Sequence, residues 1–561
     1  MCRENYLVDR SDISDKKDIL EYDVIIVGAG PAGLAAAIRC KQINPQFSVV
    51  IIEKSADIGG HILSGAIIDP IGIDSLLPGW REEKGHPFQT IVKKDIYLFL
   101  NSYKSIRLPH FCIPSCMKNH GNYVVSLGRV CRWLKNKAEA LGIEIYCGFS
   151  VKGIHYGKSG EAIGVFTSEK GRNCDGTIGR NYIPSILLLS KYMLIGEGAC
   201  GSLSQELIKR YSLTEGRQPQ KFGLGVKELW KIKPQHHTQG LVLHSFGWPL
   251  DKRTSGGGFI YHLDKDLISI GFVLHLDYKN PWISAYEELQ RFKTHPDIRP
   301  IFEGGERLEY GARVISEGGW QSVPKLSFPG GSLIGCSAGF VNLIRLKGSH
   351  NAILSGILAA EKIMERLSQG YKHDDPLEIE NSWRQTKIGR DLWIVRNIKP
   401  LLSRFGVFMG LSLGLIDVWI QKNLGFSILG TLKHQRIDAD SLEHAALHNK
   451  IKYPKPDGKL TFDINSSLFL AKVSYAKEQP THLLVKDKAL QENSELDVYA
   501  GPSMRYCPAG VYEWNEYNGE KNYVIHAQNC IHCKACVIKD PNQNIEWNVP
   551  QGEDGPYYLD M

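Results

Sequence analysis

Tyr22-Asp-Val24-Ile-Ile-Val27-Gly28-Ala-Gly30-Pro31-Ala32-Gly33 is the stretch from which the fold is read. Val24 to Val27 is a short β-branched run, the pattern of a strand buried on both faces of a parallel sheet. The glycines of G-x-G-x-x-G follow at once, and Leu34 to Cys40 reads as a helix. Gly28 permits the tight turn, Gly30 lets the backbone approach a pyrophosphate, and Gly33 lets helix and strand pack closely. Pro31 and Ala32 lie at the helix start, whose N–H groups and positive dipole favour an anion. A second strand, Ser48 to Ile52, ends at Glu53, twenty residues beyond Gly33. A carboxylate there is placed to accept hydrogen bonds from ribose hydroxyls. Strand, glycines, helix, strand and acid in register predict a Rossmann-like dinucleotide-binding domain.

Two features favour FAD over NAD as that dinucleotide. The fingerprint sits near the start of a long chain, and no second strand-glycine-helix unit offers itself to a nicotinamide. A later glycine-rich stretch, Gly330-Gly331 through Gly335 to Gly339, precedes Gly348 and a helix-like run from Ser349 to Leu367. It reads either as a strand and helix returning to the same cofactor, with N–H groups of Gly335 and Gly339 aimed at it, or as one more α/β crossover.

The chain has 561 residues, enough for two to four domains, and an ordinary hydrophobic fraction of 43%. Its net charge of +7 is scattered among nearly as many acids, so no basic stripe marks it as a nucleic-acid binder. Met1 to Glu21 carries Asp9, Asp12, Asp15, Asp18 and Glu21 and has no apolar run. The expectation is therefore neither a secretory signal nor an acid-poor transit peptide, and a cytosolic start with thiols reduced.

After Glu53, Ile58 to Ile68 forms a glycine-rich loop, with His61 and Gly65, that could run beneath a flavin ring. Ile67 to Trp80 is apolar and reads as a core loop or as a surface meeting lipid. Gly128 to Ala140 is a helix, Gly142 to Cys147 a strand, and Ile183 to Ile195 a strand ending at the turn Gly196-Glu197-Gly198. From Gly223 to Asp277 the pattern changes to short alternating strands, with Leu241–Phe246, Gly258–Leu263 and Leu267–Leu276 resembling an antiparallel sheet. Such a sheet would roof the flavin and wall a substrate pocket. Ser255-Gly256-Gly257-Gly258 reads as a bulge or close backbone approach to a ligand, or as a flexible turn tip. Histidines 236, 237, 244, 262 and 275 fit no metal spacing and read as ordinary strand histidines.

Leu401 to Leu424 is the most hydrophobic long stretch, but its uncharged run, Phe405 to Ile416, falls short of the roughly twenty residues a bilayer span needs. It reads as an interfacial helix or as a buried amphipathic core helix. In the first case Phe408, Met409, Leu413 and Trp419 face lipid, and Lys399, Arg404 and Lys422 lie at the headgroups.

The tail carries Cys530-Ile-His-Cys533-Lys-Ala-Cys536, the C-x-x-C-x-x-C core of bacterial ferredoxin ligation, with Cys507-Pro508 upstream in place of a following Cys-Pro. Four thiolates, three on one tight loop, suit one [4Fe–4S] cube, where zinc would more often use two separated pairs. Of the nine other cysteines, Cys112 and Cys116 are the one close pair, with little claim to a metal. A flavin handles electrons in pairs or singly and a cluster passes one at a time, so together they make a relay between donors and acceptors of different electron number.

Taken together these segments resemble the electron transfer flavoprotein:ubiquinone oxidoreductase family. The matching pieces are Gly28–Gly33, His61-Ile-Leu-Ser-Gly65-Ala, Lys118–Tyr123, Gly247-Trp-Pro-Leu-Asp251, Pro324 to Phe340, Tyr453–Gly458, Arg505–Tyr512 and Cys530–Pro541. They run in order along nearly the whole chain. The sequence departs from the family pattern at Ile344-Arg345 and at Cys116-Met-Lys. The resemblance implies a peripheral membrane enzyme with FAD and one [4Fe–4S] cluster, taking electrons from reduced electron transfer flavoprotein and delivering them to ubiquinone. It implies that Gly256 and Gly257 lie beside the quinone headgroup and that the stretches near Ile67 and Leu401 touch the membrane. A bacterial version at the cytoplasmic face of the inner membrane is expected.

The architecture expected is thus α/β (α+β overall). A discontinuous FAD-binding domain takes residues 20–65, 121–222 and 330–395, and an antiparallel-sheet quinone and membrane-contact domain takes 66–120 with 223–329. An interfacial helical segment covers 396–450 and a ferredoxin-like iron–sulfur domain 451–561. Two other readings compete: a flavin-dependent reductase of isoprenoid double bonds with a ferredoxin-like tail, and a non-catalytic redox carrier or sensor.

Overall fold

The strand Ile19–Val27 lies at the centre of the first sheet, with the parallel strands Val49–Glu53 and Leu187–Ile195 on either side. Glu144–Cys147 extends the sheet beyond Val49–Glu53, and Gly331–Leu333 extends it beyond Leu187–Ile195, both in parallel. The β-branched runs of these strands are almost wholly inaccessible to solvent, as both faces are covered. One face receives the helix Pro31–Ile43, which packs against the late helix Ser349–Ser368 and against Leu127–Ala140. Ser126 caps this last helix by accepting from Arg129 N at 3.3 Å. The computed structural model describes residues 19–517 and 519–561, without the side chains of Cys112 and Tyr517. The acidic stretch up to Asp18 and the side chain of Cys112, the other member of the close pair with Cys116, therefore lie outside the described residues.

The second sheet has seven strands in the order Glu306–Ser316, Phe222–Lys231, Leu267–His275, Gly256–His262, Leu241–Gly247, Lys94–Leu100, Ser105–Arg107. All pairs are antiparallel except Leu241–Gly247 with Lys94–Leu100, which run parallel. The three strands read from the sequence are its middle. Gly256–Gly257–Gly258 pairs with Leu274–Val273–Phe272 in unbroken register, so the expected bulge or turn tip is a regular strand. The reason is steric. A Cβ on Gly256 would overlap the Val273 carbonyl, one on Gly257 the Ser245 carbonyl, and one on Gly258 the Phe292 ring.

Ile67–Trp80 corrects a second expectation. It forms the strand Ile67–Ile68 and the short helix Ile71–Leu76, with Ile68, Ile73, Leu76 and Trp80 buried. Gly72 lies against Ile353 of the late helix, so this stretch packs into the nucleotide-side core rather than against lipid.

The apolar segment folds as Ile398–Leu424, broken at Gly406 (φ +71°, ψ −174°). The first half is buried through Ile398, Leu401 and Leu402, while beyond the break Phe408, Met409, Ile416 and Trp419 are 56–68% exposed. The break lets one face serve the core and the next lie on the surface. With the residues before it, this segment is long and apolar enough to cross a bilayer by composition, yet 44% of its most apolar window is buried against the protein. Lys399 is not at the headgroups: it is buried in an ion cluster with Asp277 and Glu317.

The tail contains the hairpin Tyr512–Tyr517/Glu520–Ile525 and the pair Leu483–Val485/Ile545–Trp547, and it shares its core with the second sheet. Val314 N donates to Cys533 O at 3.1 Å and Tyr310 Oη to Pro508 O at 2.6 Å. Its last residues reach the first domain, where Tyr558 N donates to Gly60 O and Arg129 Nε to Asp560 at 2.6 Å.

Candidate functional site

At the fingerprint the structure separates the roles of the glycines. Gly28 has φ +100° and a Cβ there would come within 2.6 Å of Gly196 O; one on Gly33 would overlap the Gly28 carbonyl. A Cβ on Gly30 meets nothing within 4 Å, so that glycine keeps space open rather than admitting protein. It is also the cap of the helix Pro31–Ile43 and has no side chain to satisfy the first N–H groups. Open space before uncapped N–H groups fits a pyrophosphate. Glu53 accepts from Ala29 N and Ser55 N, both at 2.8 Å, which fixes its carboxylate at the strand end and leaves lone pairs for ribose hydroxyls.

Gly335 and Gly339 work differently from expectation. Gly335 N donates to Ser355 Oγ at 2.9 Å and Gly339 N to Cys336 O at 3.1 Å, so neither N–H is aimed at a cofactor. Gly335 (φ +62°) allows close packing on Ala32 of the fingerprint helix, and Gly339 (φ +85°) on Gln220. The group that does face the site is the amino end of Ser349–Ser368, which has no side-chain cap. Gly348 and Ser349 line the cavity there, and a positive helix end suits the anionic edge of a reduced flavin.

That cavity has a volume of about 370 Å³. Pro31, Gly198, Cys336 and Gly348 form its inner end, Gly256 and Gly257 its wall, and Leu402, Val407, Leu411 and Leu415 of the broken helix its outer end. It thus joins the dinucleotide site to the surface helix. Two polar clusters interrupt its apolar lining. In one, His244 Nε2 lies 2.7 Å from Tyr261 Oη and its Nδ1 3.7 Å from Asp95, with Tyr97 stacked on the ring. In the other, His275 and Glu317 are backed by Lys399. The five histidines do not converge on a metal site; these two are buried pocket walls, and His237 packs on His262.

Cys507, Cys530, Cys533 and Cys536 are all buried and line one small cavity with Val511, Tyr512 and Trp547. Lys534 (φ +69°) and His532 (φ +56°) hold left-handed backbone between the ligand positions, which wraps the loop tightly. Backbone N–H groups of Ala509, Gly510 and Val511 point at the Cys507 sulfur, that of His532 at Cys530 and that of Ala535 at Cys533. Burial pushes the Cys536 thiol up to about 12, and the neighbouring Tyr512 hydroxyl pulls it back. Trp547 Nε1 is buried without a partner. Converging sulfurs ringed by N–H donors, the Tyr512 hydroxyl and an orphaned indole N–H fit a [4Fe–4S] cluster, whose sulfurs accept such bonds.

The two centres meet through side chains. Lys54, one residue after Glu53, places Nζ 2.9 Å from His532 Nδ1, and the His61 ring packs edge-on to His532 at 5.5 Å between centroids. The loop expected beneath the flavin therefore touches the cysteine loop directly.

Comparison with known proteins decides the family. A model described as "ETF-QO, ubiquinone-binding" matches residues 222–315, and one described as "Electron transfer flavoprotein-ubiquinone oxidoreductase, 4Fe-4S" matches 458–559. A "Thi4 family" model matches 7–71. The electron transfer flavoprotein-ubiquinone oxidoreductase of Pseudomonas aeruginosa is 42% identical, over 97% of this chain and 100% of its own length. This chain belongs to the electron transfer flavoprotein-ubiquinone oxidoreductase family. The mitochondrial proteins of that name from Arabidopsis thaliana (43% identity, 97% of this chain, 85% of its own) and Homo sapiens (42%, 96% and 89%) agree. Among solved structures, a geranylgeranyl bacteriochlorophyll reductase-like protein from Thermoplasma acidophilum shares the fold over 72% of this chain and 97% of its own (TM-score 0.53, 16% identity). At that identity the likeness concerns the fold alone, and the double-bond-reductase and sensor readings give way to the near-full-length family match.

The departures from the family pattern are accommodated. Arg345 pairs with Asp69 and with Asp391 at 2.9 Å, tying the cavity rim to the helix Lys387–Ile394, and Ile344 packs into the apolar cluster around Ile398. Cys116 joins that same cluster. Sequence reading missed Tyr97, Lys227, Arg313, His244 and Glu317 as cavity residues. The signal for Lys227 was present, as a charge in the middle of an apolar strand.

Proposed function

We propose that this chain oxidises reduced electron transfer flavoprotein and reduces ubiquinone at a membrane surface, with FAD and one [4Fe–4S] cluster as its centres. The observation that carries this reading is the single cavity running from the fingerprint helix to the exposed apolar helix, with the four-cysteine loop docked on the flavin loop. Once bound, FAD would supply electron exchange in pairs or singly, and the cluster one electron at a time.

The residues divide the work. Gly28, Gly30, Pro31, Ala32 and Gly33 hold the pyrophosphate, Glu53 the ribose, and Gly335 and Gly339 let the late turn close on the same site. Cys507, Cys530, Cys533 and Cys536 hold the cluster. Gly256 and Gly257 present bare backbone to the quinone headgroup, and Leu402, Val407, Leu411 and Leu415 guide its apolar tail. The helix beyond Gly406 lies in the interface, held by apolar burial. The domain boundaries given above describe this division, except that Ile71–Leu76 and Trp80 pack with the FAD-binding part. We place the protein at the cytoplasmic face of a bacterial inner membrane, as a monotopic enzyme; thirteen cysteines suit a reducing compartment.

The test is steady-state turnover of detergent-solubilised enzyme with reduced electron transfer flavoprotein and a short-tailed ubiquinone. Quinol production that needs both partners is expected; turnover with NADPH and an isoprenoid alkene in their place would replace this reading.

A further inference from the structure

Forming a quinol takes protons as well as electrons, and an apolar cavity must import them. Beside Gly256 the cavity wall is made by His275 and Glu317. His275 N donates to Ser255 O at 3.0 Å, which fixes this histidine next to the glycine pair. Behind them Lys399 Nζ lies 2.9 Å from His275 Nδ1, 3.3 Å from Glu317 Oε2 and 3.3 Å from Asp277 Oδ2. Asp277 in turn accepts from Ser403 Oγ at 2.5 Å, and Ser403 is exposed to solvent. An unbroken line of exchangeable groups therefore runs from water to the cavity wall.

Other charged groups frame this line from every side. Lys221 and Asp438 form a buried pair at 2.8 Å, Lys539 Nζ donates to Asp438 O at 3.1 Å, and His434 Nε2 lies 2.8 Å from Gly318 O. Their summed influence sets the charge states. Burial pushes Glu317 up to about 7, with Lys399 only partly offsetting it. Burial, reinforced by Lys399, pushes His275 down to about 3, so the ring is neutral near pH 7. Against burial, Asp277 and Glu317 keep Lys399 protonated, and Lys399 and Lys221 keep Asp277 ionised. A neutral ring that accepts from Lys399 at Nδ1 carries its own proton on Nε2. His275 thus anchors Lys399 without removing its proton, and beside Gly256 Glu317 is the wall group that holds a transferable one, whereas Lys227 and Lys347 line other parts of the cavity and are held by Ser64 O and Asn119 Oδ1.

We propose that Glu317 is the acid that protonates the quinone oxygen beside Gly256–Gly257, and that Lys399, Asp277 and Ser403 recharge it from water. This rests on the reading of the cavity as the quinone site. In the step, the Glu317 O–H bond breaks and an O–H bond forms on that quinone oxygen, as the protein's redox centres supply the electron. The carboxylate left behind is recharged by a concerted shift along the line, Lys399 Nζ giving up one proton as Asp277 and Ser403 hand it another from water, so that Lys399 stays charged throughout. One of the two protons of quinol formation is accounted for in this way.

The experiment compares native enzyme with Glu317→Gln and Glu317→Asp, each full-length with both centres loaded. Electrons from reduced electron transfer flavoprotein are passed either to a short-tailed ubiquinone or to ferricenium, which takes an electron and no proton. Glu317→Gln is expected to lower quinone kcat about 100-fold, the ordinary worth of a positioned acid, with quinone KM and ferricenium turnover unchanged. Glu317→Asp should recover most of the loss. Native quinone turnover should fall as pH rises through about 7, where Glu317 loses its proton, and the Gln variant's residual turnover should lack that fall. Unchanged quinone kcat in Glu317→Gln would overturn the proposal, as would loss of ferricenium turnover in both variants, which marks a structural charge cluster. Native enzyme that reduces ferricenium but no quinone would instead overturn the reading of the cavity.

Discussion

Replacing Phe408 by Glu tests how the protein holds a membrane. Beyond the Gly406 break, Phe408 is 68% exposed, Trp419 62%, Ile416 57%, Met409 56% and Leu413 38%, all on one stretch of helix. Fully burying such a side chain contributes about 1.5–3 kcal/mol, so the part of Phe408 still open to lipid is worth about 1–2 kcal/mol. Five side chains at this scale give roughly 5–8 kcal/mol, a mainly apolar attachment that salt does not screen. Phe408→Glu removes one share and adds a carboxylate that resists burial, so partitioning should fall by about 2 kcal/mol or more, roughly thirty-fold. Flotation with liposomes in high salt reads the partitioning, and the flavin spectrum of the unbound fraction reads the fold. Native flotation of the variant, or loss of flavin from it, would refute the interfacial helix.

Cys533→Ser should strip iron and labile sulfide while FAD stays bound, since Gly28 to Glu53 and not the cysteines hold the dinucleotide; iron content unchanged from native would exclude the ligand set. Tyr512→Phe removes the hydroxyl beside Cys536 and should lower the cluster potential by about 40 mV, the one-electron equivalent of about 1 kcal/mol, in an EPR-monitored titration that leaves the flavin unmoved. Val407→Trp narrows the outer end of the cavity and should raise KM for long-tailed quinones while flavin reduction by electron transfer flavoprotein continues at its native rate. NADH should not bleach the flavin anaerobically, because the turn Gly28–Gly33 is assigned to FAD and the second G-x-G-x-x-G, Gly196 to Gly201, has the Glu197 carboxylate accepting from Ser204 N at 2.8 Å, where a pyrophosphate would have to sit; rapid bleaching would point to a conventional reductase.

The legible parts of the sequence were those whose chemistry is local. Gly28 to Glu53 states a strand, a turn, a helix and an acid within one βαβ unit, and the cysteine spacing states its ligand set whatever the surroundings. What escaped was set by distant neighbours. The glycines at 256–258 read as a bulge because the sequence does not show Ser245, Val273 and Phe292 closing on them. Lys94–Leu100 joins the second sheet in parallel beside Leu241–Gly247, a long-range pairing with no local signature. Ile67–Trp80 and Leu401–Leu424 have similar apolarity, yet one is core and the other is split between core and surface; only the packing of Ile353 on Gly72 and the break at Gly406 separate them. Lys399 looked like a headgroup contact because its partners, Asp277 and Glu317, come from the ends of two distant strands, Leu267–His275 and Glu306–Ser316. A substitution such as Gly257→Val is for the same reason no clean probe of the quinone site, since it strikes the neighbouring strand first.

One chain thus relays electrons from a flavoprotein through two centres to a quinone. The most direct measurement is an anaerobic single turnover in which reduced electron transfer flavoprotein is mixed with the oxidised enzyme. Flavin absorbance and the cluster's low-temperature EPR signal are followed before and after ubiquinone is added. Bleaching of the flavin, appearance of a reduced-cluster signal, and reversal of both by the quinone are the result predicted. A flavin that the flavoprotein cannot bleach, or reduced centres that quinone leaves reduced, would contradict it.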